Sequence, residues 1–147
     1  MLVKFNIDPQ FQPTWIAINT DKKTTKLEKM ASSIRHLVND WQIQGSRNNQ
    51  IKMIPLYEIT RFYTQNKYVV CEADGQTYRI KPRIYELNNS LPPDTFIQIS
   101  SSEIVSLASI DSLSLTKTGC YQVNLTTGET TFTSRRYMQK LRKEFLQ

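Results

Sequence analysis

The 147-residue chain has one histidine, two cysteines and four glycines, and it contains no long apolar run. A zinc site needs about four clustered nitrogen, sulfur or oxygen ligands. Cys71 and Cys120 stand alone in apolar surroundings and His36 is far from both, so no metal site is expected. Both cysteines read as small buried apolar residues of a reducing compartment. His36 has no nucleophile or carboxylate at a catalytic spacing, and there is no glycine-rich phosphate loop and no paired carboxylate. The expectation is therefore a protein that is not an enzyme, with no catalytic residues, no cofactor and no small-molecule substrate. No apolar stretch approaches the roughly 20 residues that span a bilayer. The opening MLVKFNIDPQ lacks the basic-then-apolar pattern of a secretion signal, so a cytoplasmic location is expected. Low-complexity tracts and internal repeats are absent as well.

What is present is a soluble composition, 39% apolar and 22% charged, with a formal charge of +6. The length suits one domain with a small appendage and a proper core. A positive excess favours an anionic partner. It gathers in two places. Arg135, Arg136, Lys140, Arg142 and Lys143 crowd the C-terminus against Glu144, and Arg61, Lys67, Arg79, Lys81 and Arg83 stand against Glu72 and Asp74.

Residues 1–48 read as a ββα module, a candidate dimer or partner contact. Leu2, Phe5 and Ile7 partly alternate, and Trp15 to Ile18 gives a second strand. Thr25 and Glu28 have the form of a capping box. Behind them Leu27, Met30, Ala31, Ile34, Leu37, Val38 and Trp41 form one helical stripe, most simply a cover for the sheet. Gly45 to Gln50 is polar and reads as the junction to a second unit, residues 49–147.

That unit is strand upon strand. Ile51 to Ile59 carries Ile51, Met53, Ile54, Leu56 and Ile59 and is broken by Pro55, which suggests an edge or a bulge. Tyr68 to Cys71 and Thr77 to Ile80 flank Asp74-Gly75, a strong hairpin signal. Pro82 can open a short helix carrying Ile84, Tyr85, Leu87 and Leu91, which Pro92-Pro93 stops. Phe96 to Leu115 follows as the organising stretch, its apolar anchors alternating around Phe96 to Ile99 and Ile110 to Leu115 and interrupted by Ser100-Ser101-Ser102-Glu103, a turn or a contact surface. Tyr121, Val123 and Leu125 alternate before the Thr127-Gly128 turn and a return strand at Thr130 to Thr133. Ser134 is placed to cap a last helix, Arg135 to Leu146, and to leave free N–H groups near a phosphate.

Over about residues 50–147 this order resembles the LytTR family of bacterial DNA-binding transcription regulators. The features that carry the resemblance are Ile54-Pro55-Leu56-Tyr57-Glu58-Ile59, the Asp74-Gly75 hairpin and Arg83-Ile84-Tyr85-Glu86-Leu87 with Leu91-Pro92. Phe96 to Ser100 leading into Ser102 to Leu107, and Ser134-Arg135-Arg136-Tyr137, complete the set. The resemblance implies a mostly β (α+β), elongated β-sheet domain with short helices. Such a domain inserts loops, not a recognition helix, into successive major grooves. It implies binding of double-stranded DNA at repeat sites as a homodimer, and, for small proteins of this design, a membrane-protein regulator as a further partner. The DNA-binding positions it carries over are Lys67, Ser101 with Ser100 beside it, and Arg136 with Arg135. Typical members have arginine where Gln98 stands, histidine and a basic or amide residue where Ser100-Ser101 stand, and asparagine where Ser106 stands. Serine donates hydrogen bonds but brings no charge, which shifts affinity onto Arg136, Arg135 and Lys67.

Two other readings stay open. One is a protein-interaction module or anti-regulator with the same fold and weakened DNA binding. The other is single-stranded RNA binding, in which Tyr63, Tyr68, Tyr78 and Tyr121 stack bases.

Overall fold

The computed structural model describes residues 4–11, 16–39 and 41–145, the side chains of 36–39 and of 145 excepted. The first helix, α1, spans Thr25–Asn39. Its cap is Thr24, one residue earlier than the expected box: the Leu27 N–H donates to Thr24 Oγ1 at 3.3 Å, and Glu28 pairs with Lys23 at the surface. Among the described residues neither of the two strands expected ahead of it forms. Residues 4–8 and 16–20 have no regular structure, and Phe5 and Ile7 lie almost fully exposed. Leu2 and Trp15 lie outside the described residues.

The expected junction is a hairpin. Strands β1 (Gln42–Arg47) and β2 (Gln50–Pro55) pair in antiparallel register across an Asn48-Asn49 turn. Both turn residues have positive φ, 50° and 61°, the type I′ geometry that matches the twist of adjoining strands. Gly45 is therefore no linker. A Cβ there would stand 2.7 Å from Ile54 Cδ1 and 2.8 Å from Tyr78 Cβ, so only glycine allows β1 to lie this close to its neighbours.

After a single 3-10 turn at Leu56–Glu58 come β3 (Ile59–Gln65), β4 (Tyr68–Ala73) and β5 (Gln76–Ile80). The turns joining them repeat the I′ form, Asn66-Lys67 and Asp74-Gly75 all having positive φ. Helix α2 (Ile84–Ser90) starts after Arg83, whose N–H is accepted by Glu86 Oε2 at 2.7 Å, so Pro82 precedes the cap and does not open the helix. Strands β6 (Phe96–Ser100) and β7 (Glu103–Ser106) then make a hairpin whose tip is Ser101-Ser102. The first sheet has seven strands in the order β2-β1-β5-β4-β3-β7-β6. A second, three-stranded sheet follows from β8 (Ile110–Leu115), β9 (Tyr121–Leu125) and β10 (Thr130–Phe132). The chain closes with a 3-10 turn, Arg135–Tyr137, and α3 (Met138–Phe145). The fold is mostly β, in antiparallel sheets with a few short helices, as the sequence led one to expect.

Two apolar cores share the β6–β7 hairpin. On one face Phe96 and Ile104 join Ile54, Ile59, Phe62, Cys71, Tyr78, Ile84 and Leu87. On the other, Ile97, Ile99 and Val105 meet Ile110, Val123, Leu125 and Leu141. The alternation of a strand puts successive side chains on opposite faces, and here both faces are covered. Burial pushes the Cys71 thiol up to about 11, which keeps it protonated and inert at neutral pH. Among the described residues neither core draws on α1, and Leu27, Met30, Ala31 and Ile34 are half-buried; the Leu37 and Val38 side chains of the stripe lie outside the described residues. No helix among the described residues is long and apolar enough to cross a membrane.

Candidate nucleic-acid interface

Strand register brings the sequence-predicted positions to one end of the seven-stranded sheet. The turn Asn66-Lys67 closes β3 onto β4, with Gln65 opposite Tyr68. Beside it, Tyr63 pairs with Glu103, and the Thr64 N–H donates to the Ser102 carbonyl at 3.0 Å. The β6–β7 tip therefore lies next to the β3–β4 turn, about 10 Å away at two strand spacings. The edge strand β6 then hands the chain's C-terminal segment its place, because the Ser134 N–H donates to the Ile99 carbonyl at 2.9 Å.

Gln98 ties these pieces together. Its side chain is buried, and Nε2 donates to the Ser100 carbonyl at 2.9 Å and to the Tyr137 hydroxyl at 3.3 Å. The amide found in place of the resembled family's arginine thus works inside the protein, holding the serine turn against the Arg135–Tyr137 turn. Ser100 is half-buried and its Oγ accepts from the Ser102 N–H at 3.2 Å, so it shapes the tip. Ser101 is exposed at the tip itself. Ser106 is buried, away from any surface.

Lys67 is exposed and sits at φ 69°, a backbone state that non-glycine residues seldom adopt. Arg135 and Arg136 are exposed; an Arg135 guanidinium N–H donates to the Thr118 carbonyl at 3.4 Å, and Arg136 lies 5.8 Å from the Tyr137 ring centroid. Ser134 makes no side-chain cap, contrary to expectation, and the segment begins as a 3-10 turn. Its last helix buries Leu141 and half-buries Met138; the Phe145 side chain lies outside the described residues.

Arg61 departs from the expected basic surface. Its guanidinium pairs with Glu72 at 3.0 Å, with Glu103 at 3.4 Å and with Glu129. Burial opposes its charge, but the hydrogen bond and charge of Glu72, with Glu129 and Glu103, outweigh that and raise its pKa further. Glu103 also accepts from Thr131 Oγ1 at 2.5 Å. Burial raises the Glu103 pKa, against the opposing pull of Thr131 and Arg61. This cluster fastens β3, β4 and β7 to the second sheet. In sequence it was indistinguishable from a basic patch, because its three carboxylates lie 11, 42 and 68 residues away.

Of the four tyrosines with a stacking role in the RNA reading, Tyr78 is buried, Tyr63 and Tyr121 are half-buried and Tyr68 is exposed. Tyr78 pairs opposite Cys71 and so lies on the other face of the sheet from Tyr68. They do not form one platform. No group of three or more histidine, cysteine or carboxylate side chains suited to a metal occurs among the described residues.

Comparison with known proteins adds the following. A family model described as LytTr DNA-binding domain matches residues 49–146. An uncharacterised HTH-type transcriptional regulator of Staphylococcus aureus strain NCTC 8325 / PS 47 is 28% identical over 130 residues, 88% of each chain. Another of that description, from strain MSSA476, is 28% identical over 144 residues, 97% of each chain. A solved LytTr DNA-binding domain from Bacillus cereus has a similar fold, with a TM-score of 0.67 at 20% identity over 70% of this chain and 94% of that one.

Proposed function

Since the chain belongs to the LytTr DNA-binding domain family, we propose that it is a transcription regulator that binds double-stranded DNA sequence-specifically through one end of its large sheet. The observation that carries this reading is the register that gathers three segments there: the Lys67 turn, the Ser101 tip and the Arg135-Arg136 segment. None of the three carries a carboxylate. The described α-helices are separated by strands, so loops, not a helix pair, enter the successive major grooves. Arg136 reads a base edge: a guanidinium can meet guanine O6 and N7 with two parallel hydrogen bonds. Lys67 and Arg135 neutralise phosphates, and the neutral Ser101 adds hydrogen bonds alone.

Repeat sites and a homodimer on DNA complete the reading. The half-buried Leu27, Met30, Ala31 and Ile34 face of α1 offers a contact for a second copy or for a membrane-protein regulator. The role is binding, without catalysis or cofactor, in the cytoplasm. The serine tip favours one competing reading, an interaction module of the same fold with weakened DNA binding.

Selection of duplexes from a random pool at two salt concentrations tests the choice. Enrichment of a repeated motif, with affinity falling steeply with salt, is expected. Arg136→Ala should then cost about 1–3 kcal/mol and relax selectivity at one position. A pool that enriches nothing would leave the interaction module as the better account.

A further inference from the structure

With Arg61 withdrawn into its carboxylate cluster, Lys67, Arg79, Lys81 and Arg83 remain of the second basic region. Arg79 is held in an unusual way. It pairs opposite Val70 on β4, diagonal to Tyr68 on the same face of the sheet. Its guanidinium carbon lies 3.3 Å above the centroid of the Tyr68 ring. The side chain is thereby turned back towards the Asn66-Lys67 end. Lys81 follows Ile80, whose partner is Val69, so it stands at the level of Tyr68 and is exposed. Among the described residues no carboxylate pairs with Arg79 or with Lys81. Between β1 and β5 runs a groove of about 450 Å³ whose lining includes Arg79 and Lys81 beside Ile43, Ser46, Ile51 and Ile80.

A guanidinium laid flat on an aromatic ring keeps its N–H edge free and loses little freedom on binding. That edge suits a phosphate, which it can meet with two parallel hydrogen bonds. We infer that Arg79, held on Tyr68, and Lys81 form a clamp for the phosphodiester backbone of the bound duplex, next to Lys67 and outside the three reading segments. The inference rests on the DNA-binding reading and extends it across β5. It also accounts for where the charge missing from the serine tip is supplied. The clamp contributes affinity and register without sequence preference, because phosphates carry no base information.

The test uses the full chain, a duplex enriched by selection and a short duplex of unrelated sequence, each titrated across a salt series. The double variant Arg79→Ala/Lys81→Ala should bind both duplexes more weakly by about the same factor. Its log–log salt slope should be shallower by about 2, since each lost phosphate contact removes about 0.9. Tyr68→Phe, which keeps a ring under the guanidinium, should bind like the parent, and Tyr68→Leu should lose part of what the double variant loses. All three side chains are exposed, so thermal unfolding should stay near that of the parent; Arg79→Gln, which removes the charge and keeps the stem, serves if the alanine variant unfolds. If the parent binds and the double variant matches it in affinity and slope, the clamp is wrong and the DNA-binding reading stands. A loss confined to the selected duplex would also overturn the clamp, assigning base contact in its place. If the parent binds neither duplex, the underlying reading fails and the clamp with it.

Discussion

The two cores lie on opposite faces of one hairpin and differ in what encloses them. The first, around Phe62, is closed by neighbouring strands and by α2, the element just before the hairpin. The second, around Ile99 and Val123, is closed by the three-stranded sheet and by Leu141 of α3. Phe62 and Phe96 meet with ring centroids 5.6 Å apart inside the first. Leu141, by contrast, anchors the helix that continues directly from Arg135–Tyr137. The first core makes the sheet, and the second decides where the C-terminal arginines stand.

Substitutions that empty one core at a time sharpen this contrast. Phe62→Ala should cost the most, about 3–5 kcal/mol in urea unfolding, as expected when a fully buried phenylalanine is truncated. Held cold enough to stay folded, it should keep the parent's salt slope on DNA. Leu141→Ala should cost about 2–5 kcal/mol and also weaken DNA binding, because the segment bearing Arg135 and Arg136 loses its anchor. Equal effects of the two on binding would erase the distinction between the cores. Gly45→Ala belongs with the first core. The added methyl meets Ile54 and Tyr78 at under 3 Å, so about 1–3 kcal/mol should be lost with no change in the salt slope.

The Arg61 cluster lies where the two sheets join, and its response to pH separates the sheets' contributions. The Glu103 pKa is raised in the folded protein, chiefly by burial. Its protonated form therefore favours folding: that contribution is whole below the unfolded value and disappears as pH rises through the raised folded one. Relative to Glu103→Gln, which mimics the protonated acid, the parent should lose stability across that window. A difference between the two proteins that stays flat with pH would show that Glu103 is not raised.

How far the sequence carried depends on what each signal requires. Asp74-Gly75 was legible because a two-residue turn with positive φ at both positions has few acceptable residues, and glycine is one of them. Asn48-Asn49 makes the same turn but sat in a polar run beside Gly45, and that run looked like a linker. The glycine was there for a close approach of Ile54 and Tyr78, a contact across strands that local pattern cannot reveal. Alternation around Phe5 and Ile16 suggested strands, yet nothing among the described residues pairs with them. Lys67, Ser101 and Arg136 were placed by motif. That register sets them at one end, that Gln98 ties Ser100 to Tyr137, and that Arg61 is sequestered all depend on contacts between distant residues.

The smallest expected effect comes from Lys67. Among the three hairpin turns of the large sheet with positive φ at both positions, this is the one that puts a long charged side chain in the left-handed region, at φ 69°. An L-residue other than asparagine, aspartate or glycine gives up about 1 kcal/mol there. Lys67→Gly should accordingly leave unfolding unchanged or raise its midpoint slightly, while the salt slope on DNA falls by about 0.9. In this turn foldability and charge compete for a single position. If Lys67 meets a phosphate as proposed, the better residue for closing the hairpin is the worse one for holding a polyanion, so a more stable variant of this protein is a poorer regulator.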